Sequence, residues 1–128
     1  MNLLLDTHIF LWLNQQPEKL SANILAHCED PNNILYLSHV SPWEIQIKST
    51  LGKLALQRPL HAMIDLQQRE NGLKLLPINL QHIYALGGLD SFHQDPFDRL
   101  LVAQAMVEKM ALITLDSKIQ CYPIATIN

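Results

Sequence analysis

The sequence is poor in charged residues, in cysteine and in long apolar runs. Only 16% of its 128 residues are charged, against about a quarter in an average soluble domain, which excludes a disordered chain and a highly charged nucleic-acid tail. Nine basic and twelve acidic residues give a formal net charge of −3. Bulk attraction to a polyanion is therefore not the main basis of function, and any contact with RNA or DNA is expected to be local.

The cysteine count and the first residues of the sequence indicate the cellular compartment in which the protein is expected. Cys28 and Cys121 are too few for a disulfide framework and lack metal-ligand spacing, which favours a reducing compartment, so we expect a cytoplasmic protein. The short apolar run Leu3–Leu5 has no basic segment before it and ends at Asp6, so neither a signal peptide nor a membrane span is expected. With 48% hydrophobic residues, residues 1–128 are predicted to form one globular domain with some apolar surface left over.

Short apolar segments alternate with helical patterns along the chain. Strands are predicted at Leu3–Leu5, Ile34–Leu37, Leu73–Ile78 and Ala111–Leu115, with an edge strand at Ile124–Ile127. Helix starts are predicted at Ser21, Ser41, Pro59 and Asp95. This alternation is typical of an α/β fold, in which helices cover both faces of a parallel sheet.

Two helix starts carry the clearest local signals. Ser41–Glu44 combines a capping serine, a proline at the first helical position and a glutamate three residues after the cap, which predicts a helix that runs to Gly52. Asp95–Asp98 repeats this logic and opens a segment that is apolar nearly all round. We expect that second helix to be buried centrally.

Four acids fall where a strand ends or a helix begins: Asp6, Glu44, Asp98 and Asp116. The ligand site of an open α/β sheet lies beyond the carboxyl ends of its strands. Each acid alone is explained by helix capping, dipole compensation or turn formation, but four carboxylates on one rim repel one another unless a cation neutralises them. Oxygen ligands without cysteine or paired histidines favour Mg²⁺ or Mn²⁺. Without these four acids, eight acids remain against nine bases, so the net negative charge of the chain lies in the predicted site.

Four segments of the chain resemble the PIN-domain ribonucleases, particularly the VapC-like toxins of bacterial toxin–antitoxin pairs: Leu4–His8, Ser41–Ile45, His93–Ala105 and Ile113–Asp116. The resemblance covers the whole chain. Its most specific part is the run Asp95–Leu101. It implies a three-layer α/β/α sandwich with a central, mostly parallel sheet.

The resemblance also implies an activity and partners. PIN-domain toxins of this kind are endonucleases that hydrolyse single-stranded or loop RNA with Mg²⁺ or Mn²⁺, commonly form homodimers and are silenced by an antitoxin. Carried over to this sequence, the catalytic and metal-binding acids are Asp6, Glu44, Asp98 and Asp116, with Asp95, Thr114 and Thr7 as accessory residues. One or two bound ions agree with this pattern.

The individual roles within this acidic group are expected to differ. Asp6 and Asp98 are expected to be direct ligands, Asp116 a direct or water-mediated ligand, and Glu44 a ligand or a base. Arg99, in the first turn of the same helix as Asp98, is a candidate phosphate contact.

Aromatic and histidine residues give weaker signals. No two of the six histidines are spaced i, i+4, so a zinc site is not expected, and His8 and His93 are assigned to hydrogen bonds or solvent. Trp12 and Trp43 each offer a face for base stacking, but their apolar neighbours favour burial in the core or at a dimer contact. A non-catalytic module of the same fold, which binds a metal or a partner, is the alternative to an enzyme.

Overall fold

The fold is a five-stranded parallel sheet with helices on both faces, seen in a computed structural model that describes residues 1–128. The strands are β1 (Asn2–Leu5), β2 (Ile34–Ser38), β3 (Lys74–Leu76), β4 (Ala111–Ile113) and β5 (Thr126–Ile127). The helices are α1 (Thr7–Gln15), α2 (Ala22–Glu29), α3 (Val40–Thr50), α4 (Leu60–Asn71), α5 (Leu80–Ala85) and α6 (Pro96–Glu108). Short 3₁₀ turns occupy Pro17–Lys19, Leu86–Gly88 and Ile119–Cys121. None of the helices combines the length and apolar character that spanning a bilayer requires.

The strand order places β1 at the centre of the sheet. The order is β3-β2-β1-β4-β5 and every neighbouring pair is parallel. Leu4 of β1 lies opposite Tyr36 on one side and Leu112 on the other. The chain adds β2 and β3 on one side of β1 and then crosses to add β4 and β5 on the other. This reversal of strand order marks the point where open α/β sheets bind ligands.

Alternate side chains of β1 enter two separate cores. Leu3 and Leu5 pack with Phe10 of α1 and Met63 of α4 on one face, whereas Leu4 packs with Leu101 and its neighbours in α6 on the other. Each fully buried leucine stabilises the fold by about 1.5–3 kcal/mol relative to an exposed one. The predicted three-layer α/β/α sandwich is therefore confirmed.

The predicted start of α6 is confirmed, but its burial is not complete. Asp95 caps the helix by accepting hydrogen bonds from the backbone N–H groups of Phe97 at 2.8 Å and Asp98 at 3.3 Å. Residues 100–105 are all buried. Met106 and Val107 are 40% and 38% exposed, so the prediction of a helix buried nearly all round is wrong over its last turn, where the residues face away from the sheet.

The predicted start of α3 is wrong by two residues. The helix begins at Val40, and the Ser41 hydroxyl makes no capping bond because it is hydrogen-bonded to Thr7 Oγ1 at 2.8 Å. The Val40 N–H is instead bound by the Ser38 side chain. Glu44 consequently lies one turn into the helix and is not part of a capping box.

The other helix ends follow local signals, while the strands are shorter than predicted. Ser21 caps α2 by accepting a hydrogen bond from the Ile24 N–H, and Gly72 ends α4 with the left-handed φ of +63° that glycine allows. The predicted strand 73–78 shrinks to β3 because Pro77 has no N–H to donate. Strands β4 and β5 are likewise shorter than the predicted 111–115 and 124–127. The start of β5 is delayed because the Ile124 N–H donates to the Tyr122 carbonyl in a turn.

Candidate active site

Three of the four predicted acids line one cavity at the carboxyl edge of the sheet. Asp6 directly follows β1, Asp116 lies three residues beyond β4, and Asp98 lies in the first turn of α6. Asp6 and Asp116 share the cavity because they follow the carboxyl ends of β1 and β4, which are neighbouring strands. The cavity has a volume of about 320 Å³, and its remaining lining residues are His8, Ile9, Trp12 and Leu115.

Asp6 is a buried carboxylate that does not serve the backbone. It occupies the N-cap position of α1, yet its side chain makes no capping hydrogen bond. Its Oδ2 accepts a hydrogen bond from Thr114 Oγ1 at 2.7 Å, while its Oδ1 is buried with no partner. Burial raises the pKa of Asp6 above its usual range, although the Thr114 hydrogen bond opposes that change. A structural role in capping therefore does not account for this acid.

Two threonines, both predicted as accessory residues, connect the elements that carry the acids. Thr114 Oγ1 also accepts a hydrogen bond from the Asp116 N–H at 3.0 Å, so one hydroxyl bridges Asp6 and Asp116. Thr7 joins its hydroxyl to that of Ser41 across a buried contact between α1 and α3. The threonines thus position the acid-bearing segments relative to one another.

Glu44 lies in an adjoining cavity of about 220 Å³. Its side chain is 2% exposed, and one carboxylate oxygen forms an ion pair with Lys48 while Oε1 is buried without a partner. The hydrogen bond from Lys48 to Glu44 raises the pKa of the lysine. Lys53 also lines this cavity, so it combines one carboxylate with two cationic side chains.

Asp98 is the group whose ionisation is most disturbed. Burial, followed by repulsion from Asp6, Asp95 and Glu44, raises its pKa to about 7. The attraction of His93 opposes this change. These causes mean that the acids lie close enough to suppress one another's charge, so at neutral pH Asp98 is about half protonated in the absence of a cation.

Asp95 supports the site from outside the cavity. Its carboxylate caps α6 and binds the Asp98 N–H, which sets the position of that residue at the helix start. Its charge still contributes to the raised pKa of Asp98. Asp95, predicted as an accessory residue, is thus the N-cap of α6.

His93, assigned from the sequence to hydrogen bonds or solvent, makes hydrogen bonds, but the sequence did not reveal that its partners are two of the predicted acids. Its Nε2 lies 2.9 Å from Asp116 Oδ2 and 3.1 Å from Asp98 Oδ2, and these three potential ligand atoms lie within 4.8 Å of one another. Its Nδ1 accepts a hydrogen bond from the Asp95 N–H at 3.1 Å, so Nε2 carries the proton and donates it to the carboxylates. The spacing of two residues between His93 and the capping Asp95 is the signal that could have revealed it.

Asp116 differs from the other acids in its ionisation. Burial raises its pKa, but hydrogen bonds from His93 and from the Lys118 N–H outweigh that effect, so the pKa of Asp116 falls below its usual value. Asp116 is consequently a stable anion at neutral pH, next to the partly protonated Asp98.

Arg99 is directed at the loop that carries His93. Its Nη1 donates hydrogen bonds to the carbonyl oxygens of Asp90 at 2.9 Å and His93 at 3.3 Å, and to the Tyr122 hydroxyl at 3.3 Å. In this arrangement Arg99 anchors the loop, whereas the sequence suggested a phosphate contact.

The two tryptophans have different surroundings. Trp43 is 55% exposed and meets Phe97 edge to face at 5.0 Å, so it is not buried within the chain as expected. Trp12 is half-buried and lines the same cavity as Asp6 and Asp98.

The donor set of the site fits a hard divalent cation. Asp6 Oδ1 and Glu44 Oε1 are buried oxygens without hydrogen-bond partners, an arrangement that costs free energy unless a cation or water satisfies it. The carboxylates supply the oxygen ligands that Mg²⁺ and Mn²⁺ prefer. His93 is not counted among the ligands here, because the Asp95 N–H occupies its Nδ1 and its Nε2 carries the proton that it donates to Asp116 and Asp98.

The fold and this site define an α/β protein whose carboxylates gather at the switch point of a parallel sheet. The PIN domain family model matches residues 3–123. The chain therefore belongs to the PIN domain family, a family of nucleases, and the resemblance noted in its sequence is confirmed. No curated protein sequence matches the chain.

Solved structures share this fold over almost the whole chain. VapBC2 from Rickettsia felis, bound to a promoter DNA fragment, is 18% identical with a TM-score of 0.69 and full coverage of both chains. VapBC-1 from nontypeable Haemophilus influenzae is 21% identical, with a TM-score of 0.69 and coverage of 98% of this chain and 96% of that chain. A toxin–antitoxin complex from Klebsiella pneumoniae is 16% identical, with a TM-score of 0.61 and coverage of 98% and 95%. At these identities, the similarity is one of fold.

Proposed function

We propose that the protein is a metal-dependent endoribonuclease, formed by residues 1–128 as one domain, and that it acts as the toxin of a toxin–antitoxin pair. The observation that carries the proposal is the convergence of Asp6, Asp98 and Asp116 on one cavity, with a buried carboxylate oxygen of Asp6 left unpaired. Membership of a nuclease family supports hydrolysis of phosphodiester bonds as the reaction.

The four acids would have different roles in the site. Asp6 and Asp98 would bind the ion directly, Asp116 would bind it directly or through water, and Glu44 would complete the set as a ligand or a proton acceptor. When bound, Mg²⁺ or Mn²⁺ screens the negative phosphate and lowers the pKa of water. His93 holds Asp116 and Asp98 in place by donating from Nε2. Lys48 provides the buried Glu44 carboxylate with an ion-pair partner.

The substrate proposed is single-stranded or loop RNA. Nine basic residues in a chain of net charge −3 do not provide the extended basic surface that duplex recognition requires. Two local cations, Lys48 and Lys53, line the cavity that adjoins the acids. Short contacts to an exposed segment of RNA fit this distribution.

The partners proposed are an antitoxin protein and a second copy of the chain. Solved structures with this fold include a toxin–antitoxin complex. An arginine from a partner would satisfy several carboxylates of the site at once through its planar fork of donors. The chain also leaves Trp43 and Leu51 of the α3 region more than half exposed. Co-purification with the product of the neighbouring reading frame and light scattering on the isolated chain test these two partners.

Cleavage of labelled RNA tests the function itself. We expect the purified protein to cut single-stranded RNA with Mg²⁺ or Mn²⁺, to lose that activity in EDTA and to recover it when the metal returns. Asp98→Asn should abolish cleavage, whereas Asp65→Asn, an exposed carboxylate on α4, should leave it unchanged. Cleavage that survives chelation, or full activity in Asp98→Asn, would disprove the proposal.

A further inference from the structure

One wall of the acidic cavity has no role in holding a cation. Besides its acids and His8, the cavity is lined by the apolar side chains of Ile9, Trp12 and Leu115. A hard cation takes oxygen ligands, so these side chains contribute nothing to its binding. The cavity therefore contains both carboxylates and apolar side chains, and one of the apolar side chains is an aromatic ring.

Two side chains pack against the ring of Trp12, one from α1 and one from the following 3₁₀ turn. His8 lies one helical turn before it, with ring centroids 5.9 Å apart, and the Lys19 ammonium group lies 5.6 Å from the centre of the indole ring. A cation over an aromatic face is attractive and restricts the movement of both groups. Trp12 remains half-buried while Ile9 and Leu11 of the same helix are buried, so part of the fixed ring faces the cavity.

The surroundings of Trp43 show that exposure alone does not select Trp12. Trp43 is the more exposed of the two rings, but the shallow hollow that it lines with Ile47 and Leu51 contains no carboxylate. Only Trp12 shares a cavity with the acids. A ligand that reaches both Trp12 and the proposed cation site must carry a flat apolar group close to a phosphate.

We propose that Trp12, together with Leu115, forms a nucleobase subsite that stacks the base next to the phosphate to be cut. Each base has a π-face, so such stacking binds single strands with little sequence preference, and a base inside a duplex cannot reach the ring. The cavity of about 320 Å³ falls within the size range of small-molecule sites. This inference rests on the proposed ribonuclease function and adds to it the means by which a single strand is held.

The two tryptophans of the chain make the subsite measurable by fluorescence. Trp43→Phe leaves Trp12 as the only tryptophan, and the phenylalanine keeps an aromatic ring against Phe97. With Ca²⁺ in place of Mg²⁺ to slow cleavage, a short unstructured RNA should quench Trp12 fluorescence. The same RNA annealed to its complement should not. Equal quenching by the duplex, or no quenching while the single strand is bound, would overturn the proposal.

Binding to variants then tests the contribution of the ring. Measured by anisotropy of labelled RNA, Trp12→Leu should weaken single-strand binding by about tenfold or more, and Trp12→Phe by less, because phenylalanine keeps an aromatic face. Mn²⁺ binding, counted by electron paramagnetic resonance, and the melting temperature report whether each variant is folded with its acidic site in place. If Trp12→Leu does not fold, Trp12→Phe and the quenching measurement decide the matter.

The outcomes of these experiments distinguish a failure of the subsite proposal from a failure of the ribonuclease proposal on which it rests. If Trp12→Leu binds and cuts RNA as well as Trp43→Phe does, the subsite is disproved while the nuclease stands. If Trp12→Leu keeps RNA binding but loses a co-expressed protein partner, the ring belongs to a protein interface and the subsite is again disproved. If no variant and no parent protein binds or cuts RNA, the proposed function itself fails.

Discussion

The imidazole Nε2 of His93 lies 2.9 Å from Oδ2 of Asp116. Because the Asp95 N–H occupies the other ring nitrogen, this contact is a hydrogen bond from the imidazole Nε2–H to a carboxylate. Partners of this kind, which orient a metal ligand without touching the ion, commonly change metal affinity by about 10–100-fold when they are removed.

The role of His93 can be tested with two substitutions, one of which keeps an N–H donor while the other removes it. His93→Gln places an amide N–H near the position of Nε2, whereas His93→Leu removes the donor. We expect Mn²⁺ affinity, measured by calorimetry, to fall by about 10–100-fold in the leucine variant and by much less in the glutamine variant. Nitrogen hyperfine coupling in the spectrum of bound Mn²⁺ would contradict this interpretation, because it would make His93 a direct ligand.

Asp98 gives the metal-free protein a characteristic dependence on pH. Its pKa is about 7 in the folded protein against 3.8 for the free side chain, so between these values the folded state binds the extra proton. The corresponding stability is fully present below about pH 4 and is lost as the pH rises through about 7. The free energy of unfolding falls by up to about 1.4 kcal/mol for each pH unit in this range.

We therefore expect the melting temperature in EDTA to fall, relative to Asp98→Asn, as the pH rises from about 5 to about 8. Mg²⁺ should restore the stability of the parent protein in the upper part of this range, since a bound cation favours the ionised carboxylates. Parallel melting curves for the parent and Asp98→Asn would show that Asp98 does not titrate in this way.

Lys48 neutralises a carboxylate that is almost fully buried. Lys48→Met leaves Glu44, which is 2% exposed, without its ion-pair partner. We expect a loss of about 1–3 kcal/mol in the free energy of unfolding in EDTA, less than for a fully buried pair because the lysine is partly exposed. Urea unfolding measures the loss, and the double variant Glu44→Gln, Lys48→Met should recover most of it. No recovery in the double variant would mean that Lys48 acts through packing.

Thr114 makes two hydrogen bonds with one hydroxyl group. Thr114→Val removes the donor to Asp6 and the acceptor for the Asp116 N–H, and the loss of buried partners costs about 1–3 kcal/mol. Thr114→Ser keeps both bonds. We expect the valine variant to melt earlier and to bind Mn²⁺ more weakly, most of all at low pH, since the Thr114 hydrogen bond lowers the pKa of Asp6. Matching behaviour of the serine and valine variants would rule out the hydroxyl as the cause.

Features set by neighbouring residues could be predicted from the sequence. The caps at Ser21 and Asp95 and the left-handed end at Gly72 depend on atoms within a few residues, and local patterns are enough to locate them. The apolar segments with helices between them were enough to predict the parallel sheet.

Features that depend on residues far apart in the sequence could not be predicted in this way. The start of α3 was misplaced because the Ser41 hydroxyl is taken by Thr7, which is 34 residues away. The acidic partner of His93 could not be identified because Asp116 is 23 residues further along the chain. The acids themselves were found through a family resemblance and through the rule that ligands gather at strand ends, neither of which gives distances.

The central position of β1 determines when the site can exist during synthesis. Asp6 precedes Thr114, to which it is hydrogen-bonded, by 108 residues. Contacts of such long sequence separation form late in folding. A nascent chain that ends before β4 contains Asp6, Glu44 and Asp98 but lacks Thr114 and Asp116, so the complete acidic cluster cannot assemble until the segment after β4 has been added.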